Sequence, residues 1–129
     1  MDMNRALPKT AAVLAFVIGL MAVVAGGQVL LGKAPDYYVI DWLPIYNFVA
    51  GLLTVFVTAV LIWRESPYAL PAAFATFGAH AVVMLVLLTA YRDVVAADSI
   101  RAMTIRLLVW LVILALMFVH ARKHKPVPA

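Results

Sequence analysis

The sequence of 129 residues consists mainly of long apolar stretches, and few polar side chains interrupt them. A polar group is costly in hydrocarbon, so each one marks either a packing contact or a function. If successive stretches cross a membrane in opposite directions, most of these positions lie near the same side of it. This predicts a shared polar pocket. We predict a ligand-binding or relay site of seven residues. Four lie inside the predicted spans, and these are Gln28, Asn47, His80 and Arg106. The other three, which lie nearer the ends of the spans, are Asp41, Tyr46 and Tyr91.

His80 lies near the middle of the third apolar stretch, and the sequence leaves several roles open for it. Its ring could simply donate a hydrogen bond to a carbonyl or threonine of a neighbouring helix, or it could relay protons. Met84 follows one helical turn later, and the pair would suit Cu(I), with Met103 or Met117 completing a site. Haem ligation would require the His80 residues of two copies to meet. No cofactor is predicted, and His80 and Met84 are weak metal candidates.

Arg106 lies five residues beyond Arg101, which is about 7.5 Å deeper along a helix axis. Its long side chain could snorkel back to the interface, with the charge in water. Alternatively, it could pair with Asp41 or Asp98 inside the protein, or it could bind an anionic ligand.

The elements that hold these residues follow from composition. Hydrophobic residues make up 67% of the chain and charged residues 12%, against roughly 45–50% and about 25% in soluble domains. A small soluble domain could not bury so much apolar surface, whereas a bilayer accommodates it. Three stretches without a formal charge reach the roughly 20 residues that a membrane-spanning helix needs: 11–31, 42–63 and 66–91.

A fourth span requires Arg106. Residues 107–119 are uncharged, but 13 residues extend only about 20 Å, which is too short for a crossing unless Arg106 is drawn below the interface. We therefore predict one all-α domain, an integral membrane four-helix bundle, with spans at about 10–32, 43–63, 67–91 and 100–121.

Short connections predict that neighbouring helices are antiparallel, and the charges predict their orientation. With the N-terminus inside, the inner segments hold six Lys and Arg residues against two acids, and the outer segments hold four against four. The formal excess of +4 therefore lies on one side. Because basic residues favour the cytoplasmic side, we expect a multi-pass protein of the cell membrane, inner or plasma, with both termini cytoplasmic.

Small residues predict where helices approach closely. Two small-xxx-small pairs occur in the first span, and small or polar residues follow one face of the second. Whether that face meets the same chain or another copy is open. The residues are Ala15 with Gly19, Ala22 with Gly26, and then Asn47, Gly51, Thr54 and Thr58.

Several function classes are excluded by what the sequence lacks. It has no cysteine, which excludes disulfides, thiolate metal sites and thiol redox chemistry. It also has no phosphate loop, zincin motif or Ser-His-Asp arrangement, so we expect no enzyme. Basic residues lie at the ends of apolar runs instead of along one face, which argues against nucleic acid. The expected partners are the lipid bilayer and either further copies or a larger membrane complex.

The four short spans, the Gly-rich first helix and the Tyr46-Asn47-x-x-x-Gly51 stretch resemble the general layout of small DoxX-like membrane proteins, and no residue role is transferred from that likeness. The preferred function is a non-catalytic accessory, assembly or small-ligand-binding component with a polar pocket in the outer leaflet and His80 at its floor. The alternatives are an oligomeric transporter or channel for protons, ions or small anions, and a haem- or copper-binding protein.

Overall fold

The computed structural model describes residues 3–33 and 35–123 of the chain. Within them every regular element is helical, and four helices are long and apolar enough to span a membrane. The prediction of an all-helical protein with four apolar helices is therefore confirmed. The helices are α1 (Met3–Leu30), α2 (Leu43–Trp63), α3 (Ala69–Thr89) and α4 (Ala97–Lys123).

The helix boundaries differ from the predicted ones by a few residues at the end that holds the candidate site. α3 ends at Thr89, so Tyr91 lies in the turn that follows it. α4 begins at Ala97, three residues earlier than predicted, and runs without a break through Arg106. The short fourth stretch is thus one part of a helix long enough to cross a bilayer, and Arg106 lies about 13 Å beyond its first residue.

Glycines bring α1 and α2 into close contact. A Cβ atom on Gly26 would lie 2.5 Å from the carbonyl oxygen of Pro44, and one on Gly51 would lie 2.7 Å from the carbonyl oxygen of Gly19. A Cβ atom on Gly19 would in turn lie 2.8 Å from Cγ2 of Thr54. These distances are too short for any side chain, so the two backbones touch directly. The partner of the small-residue face is therefore a helix of the same chain.

A π-helical turn at Thr54–Thr58 interrupts α2 and rotates its second half. In a regular α-helix, Tyr46 and Thr58 would lie about 120° apart around the axis. The extra residue of a π turn reduces that angle to about 20°, so both residues face α3. Thr58 accordingly contacts Thr76 of α3, with 3.2 Å between the two Oγ1 atoms. The sequence placed Thr58 on the same face as Gly51 and Thr54, and that prediction was wrong because it assumed a regular helix.

One large apolar cluster joins all four helices at the level where α2 ends and α3 begins. It includes Ile62 of α2, Ala73 of α3, and Trp110 and Ile113 of α4, all of them buried. The indole Nε1 of Trp110 has no hydrogen-bond partner among the described residues. Beyond this cluster, toward that end, Nε2 of His120 lies 2.8 Å from a carboxylate oxygen of Glu65.

Replacing Gly51 by alanine tests the contact between α1 and α2. The added methyl group would collide with backbone atoms of α1, and overpacking of this kind typically costs about 1–3 kcal/mol. We expect Gly51→Ala to lower the melting temperature of the purified protein in detergent, measured by circular dichroism.

The matched control is Gly78→Ala on α3, where a Cβ atom meets nothing within 4 Å. Alanine there should leave the melting temperature unchanged or raise it, because glycine weakens a helix by up to about 1 kcal/mol relative to alanine. Equal melting temperatures for the two variants would contradict the close contact.

Candidate functional site

Two adjacent residues of α2 connect it to two other helices. The hydroxyl of Tyr46 lies 2.7 Å from Nδ1 of His80 on α3. Nη1 of Arg106 on α4 donates a hydrogen bond of 2.7 Å to Oδ1 of Asn47. Consecutive residues of a helix point about 100° apart, so Tyr46 and Asn47 reach different neighbours from one position. The structure thereby brings four of the seven predicted residues together.

Arg106 carries a buried charge without a carboxylate beside it. Its residue surface is 6% exposed. Of the two acids expected as partners, Asp41 is exposed in the turn before α2, and Asp98 pairs with Arg101 at 3.2 Å. No described acid lies within 4.0 Å of the Arg106 guanidinium. The side chain is therefore buried within the protein and pairs with no described acid, and it bonds to a neutral amide instead.

The hydrogen bonds of Arg106 are incomplete. A guanidinium has five N–H donors, and one of them has a partner among the described residues. A cation in this setting attracts an anion or an acceptor group.

His80 is buried, with 2% of its surface exposed, and its ring meets that of Tyr46 edge to face with centroids 5.7 Å apart. A phenol hydroxyl is a stronger donor than a neutral imidazole N–H, and an imidazole nitrogen is a stronger acceptor than a phenol oxygen, so we assign the Tyr46 hydroxyl as the donor to Nδ1. This assigns the ring proton of a neutral imidazole to Nε2. The partner of His80 is thus a tyrosine, whereas a carbonyl or a threonine was expected.

The other three predicted residues lie apart from this cluster. Gln28 is exposed near the end of α1, and its side chain forms no hydrogen bond with a described residue. Asp41 is exposed, as noted above. Tyr91 accepts a hydrogen bond of 3.0 Å from Nε1 of Trp42, which joins the turn before α2 to the turn after α3. Trp42 was missed as a site neighbour, although its position at the end of an apolar stretch was visible in the sequence.

Two cavities border the cluster on opposite sides. A small one of about 50 Å³ is lined by Asn47, by Tyr37 of the connection before α2 and by Ser99 in the first turn of α4. A groove of about 270 Å³ lies between α2 and α3, with Tyr46 and His80 among its lining residues. The sequence predicted a pocket with His80 at its floor. In the structure, His80 is one of the residues that line the groove between α2 and α3.

The metal-ligand candidates are only partly brought together. The described residues contain no group of three or more His, Cys, Asp or Glu side chains placed to hold an ion. Met84 is half-buried one turn from His80, while Met117 belongs to the large apolar cluster. Nδ1 of His80 is engaged by Tyr46, so a metal would have to bind Nε2.

No protein-family model, curated protein or solved structure matches the chain. No family match therefore supports the resemblance to DoxX-like proteins, and the function has to be inferred from the site itself.

Removal of the Tyr46 hydroxyl tests the assigned hydrogen bond. In Tyr46→Phe, Nδ1 of His80 loses its donor, and a lost hydrogen bond of this kind costs about 1 kcal/mol. We expect the ¹⁵N resonances of the His80 ring to shift, because Nδ1 then lacks a donor, and the melting temperature to fall.

Tyr68→Phe is the matched control, because Tyr68 is exposed and its hydroxyl has no partner among the described residues. It should change neither the His80 resonances nor the melting temperature. An unchanged His80 spectrum in Tyr46→Phe would rule out the bond.

Proposed function

We propose that this chain is a non-catalytic integral membrane protein that binds a small inorganic anion at Arg106. The observation that carries the proposal is a buried guanidinium with a single neutral partner, Asn47, and no described carboxylate nearby. An uncompensated buried charge costs several kcal/mol. Binding an anion would offset that cost and would use the N–H donors that Asn47 leaves unpaired.

The cavity nearest to Arg106 is the one that its partner Asn47 lines, and Arg106 itself is not among the lining residues. We propose that an anion enters through this cavity, which would limit the size of the ligand. The volume of the cavity is about 50 Å³. A single water needs roughly 10–15 Å³, and sites for drug-sized molecules measure roughly 300–1,000 Å³. A halide or nitrate ion with a few waters fits this space, whereas an organic ligand does not. The exposed Tyr37 beside this cavity marks its side of entry.

Contacts along the helices support an antiparallel arrangement for this protein. The start of α1 meets the end of α2, where Nζ of Lys9 donates a 2.7 Å hydrogen bond to the carbonyl oxygen of Trp63. The end of α1 meets the start of α2, where Gly26 lies against Pro44. Together with the charge distribution, we propose both termini in the cytoplasm of a cell-membrane protein. Asn47 would then lie in the outer half of the bilayer.

Binding is better supported than conduction. A channel would need a polar route from His80 to the end of the protein that holds Glu65 and His120. The large apolar cluster occupies the helices along that route, with Ile62 and Ala73 on α2 and α3. An anion at Arg106 would therefore meet a closed interior beyond it.

Anion-dependent stability tests the proposal. At constant ionic strength, we expect chloride or nitrate to raise the melting temperature of the purified protein relative to gluconate, which is too large for the cavity. A ligand at one hundred times its Kd stabilises the folded state by about 2.7 kcal/mol. Arg106→Gln should abolish the difference between the salts.

Arg101→Gln is the control, because Arg101 is also a helix arginine but is exposed and paired with Asp98. It should keep the full anion effect. If the wild-type protein melts at one temperature in all three salts, or if Arg106→Gln retains the effect, the anion site does not exist.

The topology can be mapped directly because the sequence contains no cysteine. We expect Asp93→Cys, between α3 and α4, to react with a membrane-impermeant maleimide on intact cells. Tyr68→Cys, between α2 and α3, should react only after permeabilisation. Both positions are exposed in the structure, so the reverse labelling pattern would invert the proposed orientation.

A further inference from the structure

The groove between α2 and α3 carries an inference separate from the anion site. Its walls are mostly small or apolar, and its polar groups are neutral. The polar lining residues are Tyr46, Thr58, Thr76 and His80. Arg106 is absent from this set, because the Tyr46 side chain faces the groove and Arg106 bonds to Asn47 on another side of α2.

Most polar groups in the groove already have partners. The Thr76 hydroxyl donates to the carbonyl oxygen of Ala72 at 2.8 Å and lies 3.2 Å from that of Thr58. The Tyr46 hydroxyl donates to Nδ1 of His80. Nε2 of His80 is different, because it carries the ring proton and bonds to no described residue.

This N–H group is accessible and is not sealed inside the protein. Among the described residues, the indole Nε1 of Trp110 is a buried atom without a hydrogen-bond partner and without access, and the Nε2 atom of His80 is not such an atom. It therefore retains access to open space, and the groove is the space that His80 lines. A donor facing hydrocarbon without an acceptor is unfavourable by several kcal/mol. An acceptor group in the groove would remove that cost.

The groove also indicates where the ligand enters and how large it is. Leu53 and Val57 are exposed on its rim, at positions inside a helix long enough to span a membrane. A ligand would therefore enter sideways from the bilayer. The volume of about 270 Å³ approaches the lower end of the range for small-molecule sites, which begins at roughly 300 Å³.

We propose that this groove binds a neutral, lipid-soluble carbonyl compound, with Nε2–H of His80 donating a hydrogen bond to the carbonyl oxygen. The apolar body of the ligand contacts the alanines and Leu53, and its carbonyl group lies beside the imidazole. A carboxylate is disfavoured because the groove lining contains no cation. A hydrocarbon would fill the groove but would leave the donor without an acceptor.

Two matched ligands test this proposal: 2-undecanone, ¹³C-labelled at its carbonyl, and undecane, which has the same chain without the oxygen. Each is added to purified protein in detergent micelles, with empty micelles as the reference. We expect 2-undecanone to raise the melting temperature and undecane to raise it less. The infrared carbonyl band of the bound ketone should lie below its frequency in empty micelles, because a hydrogen bond weakens the carbonyl bond.

Two variants separate the groove from its donor. Ala79→Phe fills the groove from an exposed position and should abolish ketone binding, whereas Ala102→Phe on the exposed surface of α4 should not. His80→Phe keeps an aromatic ring but removes the donor, so it should weaken binding by roughly tenfold and return the carbonyl band to its micelle frequency.

The proposal is overturned if the ketone and undecane stabilise the protein equally, or if Ala79→Phe binds the ketone as the wild type does. A carbonyl band at the micelle frequency in the wild type would also overturn it. Because Ala79 is exposed, this variant remains informative even if His80→Phe fails to fold. Arg106→Gln should lose the anion effect and keep ketone binding, so the failure of one proposal is distinguishable from failure of the other.

Discussion

Polar side chains inside a membrane-spanning helix have to find partners on neighbouring helices, because hydrocarbon offers none. The arrangement of this protein follows from how α2 meets that requirement. Tyr46 bonds to α3 and Asn47 bonds to α4, while Gly51 lies against the backbone of α1. One helix therefore contacts all three others through residues within two turns. The candidate site lies where these contacts converge.

The π turn allows α2 to keep these contacts along its length. The close contact with α1 requires small residues on α2, and Gly51 is one of them. α3 needs hydrogen-bonding partners at two levels, which Tyr46 and Thr58 provide. A regular helix would point these two residues about 120° apart. The additional residue in the π turn brings Tyr46 and Thr58 to the same face of α2. Both residues can therefore bond to α3, at two levels along the groove. π turns are often found at functional sites, and this one adjoins the groove lined by His80.

The sequence predicted the features that depend on composition and on helix length. Four apolar helices follow from the long uncharged stretches, and the fourth of them includes Arg106. The partner of Arg106 was not predicted: the sequence suggested Asp41 or Asp98, whereas the rotation of the helices, which composition does not determine, places Asn47 beside it. The position of Thr58 was also beyond reach, since the residues 54–58 carry no obvious signal for a π turn.

The two proposed ligands differ in charge because the polar groups at their two sites differ. On one side of α2, Arg106 offers a full positive charge, and its partner Asn47 lines a cavity of only about 50 Å³. On the other side, the groove offers one neutral N–H donor and apolar walls. The two sites are separate because neighbouring residues of α2 bond to different helices: Asn47 to Arg106 on α4, and Tyr46 to His80 on α3. Each side of α2 therefore offers its own ligand a distinct set of polar groups.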